Sequence, residues 1–425
     1  MEPKQGDRVL VDTVDKQIEG TVMPSADKDS LVLKLPSGYN MGIPKRTIKK
    51  TKILAKHAKP RRVVKKIAHS VKLKTIAILH TGGTIASKVD YETGAVVSKY
   101  TPEELVGLFP ELEELANIKS RLISNMSSDD MRFSNYNMMA KEIAKEIKQG
   151  TDGIIITHGT DTLHYTSAAL AFILQGLPIP VILVGAQRSS DRGSSDAGMN
   201  LLCAMEFIVK SDFAEVAVCM HKSLSDDVCW ILPGLKCRKL HSSSRDAFRP
   251  VNAVAFAEID YHTRKVHIIN GNFKKRDPVR EVELRLFKPV KVGWLRARPN
   301  MFAEEVKVFS KYDGLILEGS GLGHMPIASH EENQKVFAEL KKLGKKMPIV
   351  MATQTIFGRV DMNVYSPGRV LQDIGVLGNY SDMTPETTYI KLAWLLSNHP
   401  KHVKEMLHEN LRGELQSRIG TGFLA

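Results

Sequence analysis

The pattern of hydrophobic and polar positions near the start of the chain is that of short β-strands. Residues 7–43 contain β-rich runs such as DRVLVD, QIEGTVM and SLVLKL, which are separated by Gly, Pro, Ser, Asp and Lys turns and show no helical period. Four or five strands in this stretch predict a small β-barrel of the SH3-like type. Taken alone, such a module is more typical of a binding domain than of a catalytic one.

From Lys74 onward, short apolar runs alternate with segments of helical period. The runs TIAIL (75–79), GIIIT (153–157) and IPVILVG (179–185) suit buried strands. Before the second run, YNMMAKEIAKEIKQG repeats its apolar residues every four positions, which predicts a helix that ends at the glycine. The alternation predicts a mostly parallel sheet with helices on both faces.

A polar, charged stretch around 270–290 precedes a second α/β pattern, made of YDGLILEG, EENQKVFAELKKLG, MPIVMATQT and a helical C-terminus. We therefore expect a two-domain parallel-sheet body preceded by the small barrel. The predicted boundaries are 1–55 for the barrel, 56–74 for a basic linker, 75–275 for the first α/β domain and 290–425 for the smaller second one.

The net charge of +13 is concentrated in one segment. Residues 45–74 hold 13 of the 60 Lys and Arg residues and no acidic residue, which leaves 47 basic residues elsewhere against 47 Asp and Glu. Such a block attracts the phosphate backbone of a nucleic acid, and RNA is the natural candidate. A solvated linker that only aids solubility is the alternative. The segment lacks the aromatic residues that would indicate base stacking.

Composition indicates a chain with sizeable cores and no membrane span. Hydrophobic residues make up 43% of the 425 residues. The longest apolar run, Ala168 to Leu174, is much shorter than the roughly 20 residues of a membrane helix, and the start MEPKQGDRVLVD lacks a signal pattern. The four cysteines are spaced too widely for zinc ligands or a disulfide framework. We expect a cytoplasmic protein with reduced, buried thiols and no membrane contact.

Two strand ends carry the candidate chemistry. LHTGGTIASK (79–88) runs from a strand through two glycines to Thr84, and IIITHGTDTLHYT (154–166) runs from a strand through a glycine to Thr160 and Asp161. Either turn alone could be an ordinary strand-to-helix connection. Together, at the carboxyl edge of one sheet, they can face a shared crevice. A threonine hydroxyl becomes a nucleophile when a base or a nearby cation activates it, and a lysine beside a carboxylate can serve.

These stretches resemble the signatures of the L-asparaginase family, the threonine-dependent amidohydrolases of the bacterial type. The resemblance continues in order over residues 75–425, through TGGTIAS, SNMSSDDM, THGTDT, VGAQRSSDRGSSDAGMNL, CRKLHSSSRDAFRPVN, ATQTIFGRVDMNVYSPGRVL and MTPETTYIKLAWLL. It implies the asparaginase-like α/β fold with two domains.

The resemblance implies catalytic roles for four residues. Thr84 matches the family's first catalytic threonine and nucleophile, Thr160 matches the second, Asp161 its acidic neighbour and Lys239 the activating lysine. The implied reaction is attack on a side-chain amide to give an acyl-enzyme with loss of ammonia, followed by hydrolysis. Backbone N–H groups of the glycine turns could stabilise the oxyanion. The sequence leaves open which threonine attacks first.

The same resemblance implies a set of substrate-binding residues. Ser128 and Asp129 match the positions that hold the substrate's α-carboxylate, and Asp161 the one that holds its α-amino group. Asp129 departs from the amide found there in many members. Tyr91 matches a loop tyrosine whose spacing is not shared across the family. No metal is expected, because the histidines near the turns match no common ligand spacing, and no P-loop is present.

The small barrel, basic linker and asparaginase-like body together resemble the D subunits of archaeal glutamyl-tRNA(Gln) amidotransferases. This resemblance implies a subunit that hydrolyses glutamine and passes ammonia to an E-type subunit, which amidates Glu-tRNA(Gln) with ATP and Mg²⁺. No cofactor is then expected on this chain, and a homodimer core within a heterotetramer is implied. The alternatives are a stand-alone cytoplasmic L-asparaginase and a non-catalytic RNA-binding or scaffold protein.

Overall fold

The computed structural model describes residues 3–23, 25, 27–35, 40–56, 70–83, 85, 87–89, 96–98, 107–190 and 195–419. Thr84, Tyr91 and residues 57–69 of the predicted basic linker lie outside the described residues.

The N-terminal strands form one antiparallel sheet in the order β4-β3-β2-β1-β5, as the strand-rich pattern predicted. The strands are β1 (Arg8–Thr13), β2 (Gln17–Met23), β3 (Ser30–Lys34), β4 (Asn40–Pro44) and β5 (Ile48–Ala55). Val9 and Val11 are fully buried on one face of β1, beside Ile18, Val22 and Leu33. The neighbouring β5 keeps Lys50 and Lys52 exposed.

The main body is built on an eight-stranded sheet of order β18-β17-β14-β13-β12-β10-β6-β9. The first five strands in chain order are parallel, and the last three extend the sheet antiparallel. The strands of this sheet and its surroundings are β6 (Thr75–His80), β7 (Ser87–Val89), β8 (Val96–Ser98), β9 (Asn117–Leu122), β10 (Gly153–Thr157), β11 (Leu174–Gln175), β12 (Val181–Val184), β13 (Val216–His221), β14 (Val228–Pro233), β15 (Cys237–Lys239), β16 (Phe248–Pro250), β17 (Ala257–Asp260), β18 (Val266–Ile268) and β19 (Glu283–Leu284). The helices are α1 (Glu111–Leu115), α2 (Phe133–Lys148), α3 (Leu163–Ile173) and α4 (Ala197–Lys210).

Alternation along the central strands fills a core on each face of the sheet. Ile76 and Ile78 of β6 pack into the core on the face of α4, whereas Ala77 and Leu79 pack on the face of α2 and α3. A strand covered on both faces is apolar at every position, which explains the continuous run TIAIL. The helices on both faces agree with the predicted α/β class.

A second, four-stranded sheet is entirely parallel, in the order β20-β21-β22-β23. Its strands are β20 (Val292–Arg296), β21 (Gly314–Gly319), β22 (Ile349–Thr353) and β23 (Val376–Leu377). The helices are α5 (Ala303–Lys307), α6 (Glu331–Gly344), α7 (Ser366–Asp373), α8 (Pro385–Asn398) and α9 (Val403–Leu407). We call β20–β23 with α5–α9 the C-terminal α/β unit, and the eight-stranded sheet with its helices the N-terminal α/β unit.

One hydrophobic cluster spans the two α/β units. Helix α8 packs against α3, and the rings of Trp394 and Phe172 stack with centroids 5.5 Å apart. Ile390 and Leu392 of α8 are fully buried in the same cluster as the residues on the α2 and α3 face of the eight-stranded sheet. Within the part of the chain described, no helix has the length and apolar character needed to cross a membrane. All four cysteines are free and buried.

Candidate active site

The two glycine-containing turns lie side by side. Strands β6 and β10 are parallel neighbours, and His80 at the end of one pairs with Thr157 at the end of the other. Gly83 has a φ of +80°, and a Cβ on it would lie 2.4 Å from the backbone nitrogen of Gly159. The turns are therefore in backbone contact, which only a glycine permits here. The predicted proximity of the two strand ends is confirmed.

A third segment, which follows β9, closes against both turns. Gly82 has a φ of +104°, and its Cβ would lie 2.7 Å from the carbonyl oxygen of Met126. A Cβ on Gly159 would lie 2.8 Å from Ser128 Oγ. Thr162 Oγ1 also donates a hydrogen bond of 2.5 Å to the Ser128 carbonyl oxygen. The glycines thus bring Ser128 to the edge where the two turns meet.

Lys239 joins this edge from a separate hairpin. The hairpin consists of β15 and β16, with Lys239 opposite Phe248. Lys239 Nζ donates to Thr160 Oγ1 at 2.8 Å and to Asp161 Oδ1 at 2.8 Å. The side chain of Lys239 is 8% exposed, whereas that of Asp161 is 69% exposed. The structure therefore places a cation, a hydroxyl and a carboxylate in one cluster that opens to solvent at the carboxylate.

The two buried histidines beside the turns contact neighbouring groups at the strand ends. His158 contacts the Gly159 carbonyl oxygen at 2.7 Å and Thr166 Oγ1 at 2.9 Å, and His80 contacts Thr157 Oγ1 at 2.9 Å. Burial lowers the pKa of each of these two histidines to about 4. Both are therefore neutral at physiological pH and suited to fixing the strand ends.

Asp129 lies at the exposed rim of the site, next to the buried Ser128. The Ser127 hydroxyl donates to Asp129 Oδ1, and this hydrogen bond lowers the pKa of the carboxyl group. The carboxylate is thus ionised, which disfavours direct contact with a substrate carboxylate. The substrate-binding roles of Ser128, Asp129 and Asp161 stay predictions.

The structure adds contacts that sequence reasoning did not single out. Thr160 Oγ1 donates to Gln187 Oε1 at 3.4 Å, and a Cβ on Gly185 would lie 2.7 Å from Thr160 Cγ2. Both residues belong to the segment VGAQRSSDRGSSDAGMNL. The family resemblance identifies this segment but assigns no role to any single residue in it. Of the remaining predicted residues, Thr84 and Tyr91 lie outside the described residues.

The described cluster contains the elements needed for acyl transfer to a hydroxyl. A lysine amine contacts a threonine hydroxyl, and a carboxylate beside it orients the amine. Among the residues whose positions are described, no group of three or more His, Cys, Asp or Glu side chains could hold a metal ion.

Comparisons with known proteins match this fold. The family model of asparaginase N-terminal domains matches residues 75–272, and that of glutaminase/asparaginase C-terminal domains matches residues 291–407. The L-asparaginase from Thermococcus kodakarensis is 29% identical, with a TM-score of 0.69 over 81% of this chain and all of that one. L-asparaginase I from Vibrio cholerae is 28% identical, with a TM-score of 0.70 over 81% of this chain and 99% of its own. The fold and site thus define a protein of the asparaginase class.

The N-terminal residues show to which family within the asparaginase class the chain belongs. The model of GatD N-terminal domains matches residues 3–54. The D subunit of glutamyl-tRNA(Gln) amidotransferase from Methanococcus maripaludis is 42% identical over 97% of this chain and 98% of its own. The corresponding D subunit from Pyrococcus furiosus is 42% identical over 94% of this chain and 91% of its own. The chain belongs to the family of glutamyl-tRNA(Gln) amidotransferase D subunits.

Proposed function

We propose that this chain is the glutamine-hydrolysing subunit of a tRNA-dependent amidotransferase. The observation that carries the proposal is the contact of Lys239 Nζ with both Thr160 Oγ1 and Asp161 Oδ1, at 2.8 Å each, beside the glycine turn that precedes Thr84. The near full-length similarity to D subunits supports the same activity. The ammonia released from glutamine would pass to an E-type partner that converts Glu-tRNA(Gln) to Gln-tRNA(Gln).

The proposed reaction uses the two threonines in turn. The Thr84 hydroxyl attacks the side-chain amide of glutamine to form an ester acyl-enzyme, and ammonia leaves. Water, activated by the Thr160–Lys239–Asp161 cluster, then cleaves the ester to release glutamate. The neighbouring backbone N–H groups can stabilise the oxyanion that forms in each step.

Substrate recognition is proposed at the rim of the same crevice. Ser128 is buried with its backbone fixed by Thr162, so its hydroxyl can be held in place for the α-carboxylate. Asp161 is exposed on one side and can receive the α-amino group. Tyr91 stays a candidate for supporting Thr84, and Asp129 a candidate for the α-carboxylate end of the substrate.

The exposed lysines of the N-terminal sheet are proposed to face RNA. Lys45, Arg46, Lys49, Lys50 and Lys52 are all exposed on β5 and the turn before it. Their concentration on one edge strand of the five-stranded sheet favours attraction to a phosphate backbone. We propose that this edge contributes to binding Glu-tRNA(Gln).

The proposed assembly is a homodimer of this chain within a heterotetramer, located in the cytoplasm. ATP and Mg²⁺ are proposed to act at the E-type subunit and no cofactor on this chain. A solved relative from Campylobacter jejuni, 27% identical with a TM-score of 0.62, is named a probable cytoplasmic L-asparaginase, which agrees with the proposed location.

The decisive experiment measures ammonia release from glutamine by the purified chain. The chain is assayed alone, with the E-type partner, and with that partner plus Glu-tRNA(Gln) and ATP, and asparagine is tested in parallel. We expect strong stimulation only in the complete mixture. Full activity without tRNA, best on asparagine, would instead indicate a stand-alone L-asparaginase.

Substitutions test the proposed residues in the same assay. Thr84→Ala and Lys239→Met should each lower kcat by at least about 10³-fold, because residues that act as one catalytic unit fail together. Thr160→Ala should be as severe. Substantial glutamine hydrolysis by Thr84→Ala would refute its role as the nucleophile.

A further inference from the structure

The hairpin that carries Lys239 presents cations on both of its faces. Side chains of consecutive residues in a strand point to opposite faces. Lys239 points toward Thr160 and the crevice, whereas Lys236 and Arg238 point toward the C-terminal α/β unit. The Val251 N–H donates to the Lys236 carbonyl oxygen at 2.7 Å, so the ladder between the two strands includes Lys236.

Each of the two cations on the second face meets a carboxylate of the C-terminal α/β unit. Lys236 Nζ lies 2.7 Å from Asp382 Oδ2 and 2.9 Å from the Asp382 carbonyl oxygen. Arg238 Nη2 lies 2.7 Å from Glu386 Oε1. The side chains of Lys236 and Asp382 are 1% and 0% exposed, and that of Glu386 is 4% exposed. The Lys236–Asp382 pair is therefore fully buried, and the Arg238–Glu386 pair is partly buried, with Arg238 22% exposed.

The segment that supplies the carboxylates is itself fixed. Asp382 Oδ1 accepts a hydrogen bond from the Gln416 N–H at 3.1 Å, and its carbonyl oxygen accepts one from Asn252 Nδ2 at 2.9 Å. Thr387 Oγ1 donates to the Leu235 carbonyl oxygen at 2.9 Å. Residues 382–387 therefore form a rigid support beneath the strand that leads to Lys239.

Burial makes each charge of these ion pairs depend on its partner. Burial lowers the pKa of Lys236 and raises that of Glu386, while the charged partner of each opposes the shift. A buried charge has no water to replace its partner, so the strand has little freedom to slide or twist away. A lysine side chain is long and flexible, and it keeps two contacts at 2.8 Å only when its backbone is held in place.

We propose that Asp382 and Glu386 act as positioning residues for Lys239, each through its own ion pair with the hairpin. This inference rests on the proposed role of Lys239 in amide hydrolysis. The C-terminal α/β unit then contributes to the geometry of the reaction through the hairpin. The ion pair of Arg238 with Glu386 links the hairpin to the first turn of α8.

The test replaces Glu386 with Gln in the full-length chain, assayed with its partner subunit, and uses Glu146→Gln as a matched control. Glu146 is 3% exposed, lies 2.7 Å from an arginine Nη2 and, like Glu386, has an Oε2 without a hydrogen bond from the described residues. Its ion pair with Arg121 joins α2 to β9 and is away from the hairpin.

We expect Glu386→Gln to lower kcat about 10- to 100-fold with KM changed less than about twofold, because misplacing a reacting group costs rate rather than binding. Glu146→Gln should stay within about twofold of the wild type in both. Arg238→Lys keeps the charge and should retain kcat within about threefold, whereas Arg238→Met should match Glu386→Gln.

Amide hydrogen exchange in the hairpin provides a readout that does not depend on activity. Exchange of peptides covering 236–251 should rise in Glu386→Gln and in Asp382→Asn, and should be unchanged in Glu146→Gln. Wild-type kcat together with wild-type exchange in Glu386→Gln would overturn the positioning role. Absence of hydrolysis by the wild-type complex would refute the proposed function instead, while the exchange experiment would still report whether the ion pairs hold the hairpin.

Discussion

The contact between the two glycine turns can be tested by adding one methyl group. Gly83→Ala places a Cβ 2.4 Å from the Gly159 nitrogen, whereas ordinary contacts of a Cβ begin at 3.4 Å. The two turns would therefore have to separate by about 1 Å, which is the difference between these two distances. Since backbone atoms lie on both sides, no side chain can rotate away to make room.

Two costs add up in this variant, and a control separates them. The left-handed φ of +80° costs an alanine about 1 kcal/mol, and forcing the turns apart should cost about 1–3 kcal/mol more. Gly150 has a φ of +77° and open space around its would-be Cβ. Gly150→Ala should therefore lose only the cost of the left-handed backbone, about 1 kcal/mol of unfolding free energy.

Urea denaturation and steady-state ammonia release measure the two consequences. We expect Gly83→Ala to lose about 2–4 kcal/mol of unfolding free energy in total and its kcat to fall about 10²-fold, because an error of about 1 Å at reacting groups has such an effect. Gly150→Ala should keep the wild-type kcat. Equal stability losses in the two variants, or a wild-type kcat in Gly83→Ala, would show that the turns are not in the contact described.

Two further predictions concern pH and charge. His80 and His158 have pKa values lowered by burial to about 4, so the unfolded chain binds more protons below about pH 6.5 and stability should fall from there to pH 4, by about 3 kcal/mol per histidine. His158→Gln should flatten the pH dependence of the melting temperature, and a parallel curve would contradict this. The double variant Lys50→Glu, Lys52→Glu should bind tRNA more weakly and with a smaller salt dependence, as measured by filter binding. Glutamine hydrolysis by the chain alone should not change. Unchanged tRNA binding would refute the proposal that this edge faces RNA.

Much of the fold could be predicted because its signals are local. The runs TIAIL and GIIIT are apolar at every position since each strand is covered on both faces, and such runs predict parallel strands. The start of β9 at Asn117 is set by its pairing with Thr75 of β6. The sequence has no signal for the antiparallel direction of β14, β17 and β18, which only tertiary pairing defines.

The candidate site was predicted through family segments, and the structure brings together those of its residues that it describes. Lys239 contacts Thr160 although 79 positions separate them, a distance that no pattern of spacing reveals. Ser128 is buried where glycines of two other segments converge. The acidic partners of the hairpin were missed because Asp382 lies 146 positions from Lys236.

The hairpin nevertheless contains a signal that sequence reasoning could have used. The run KCRK (236–239) has cations at three of four positions, and in a strand these must fall on both faces. One face can serve the crevice, but cations on the opposite face of a buried hairpin require acidic partners, because an unpaired buried charge is strongly unfavourable. The sequence therefore implies that acidic residues exist on the far side of the hairpin. Only the packing of α8 on α3 decides that they are Asp382 and Glu386, and it is this packing that links the C-terminal α/β unit to the placement of Lys239.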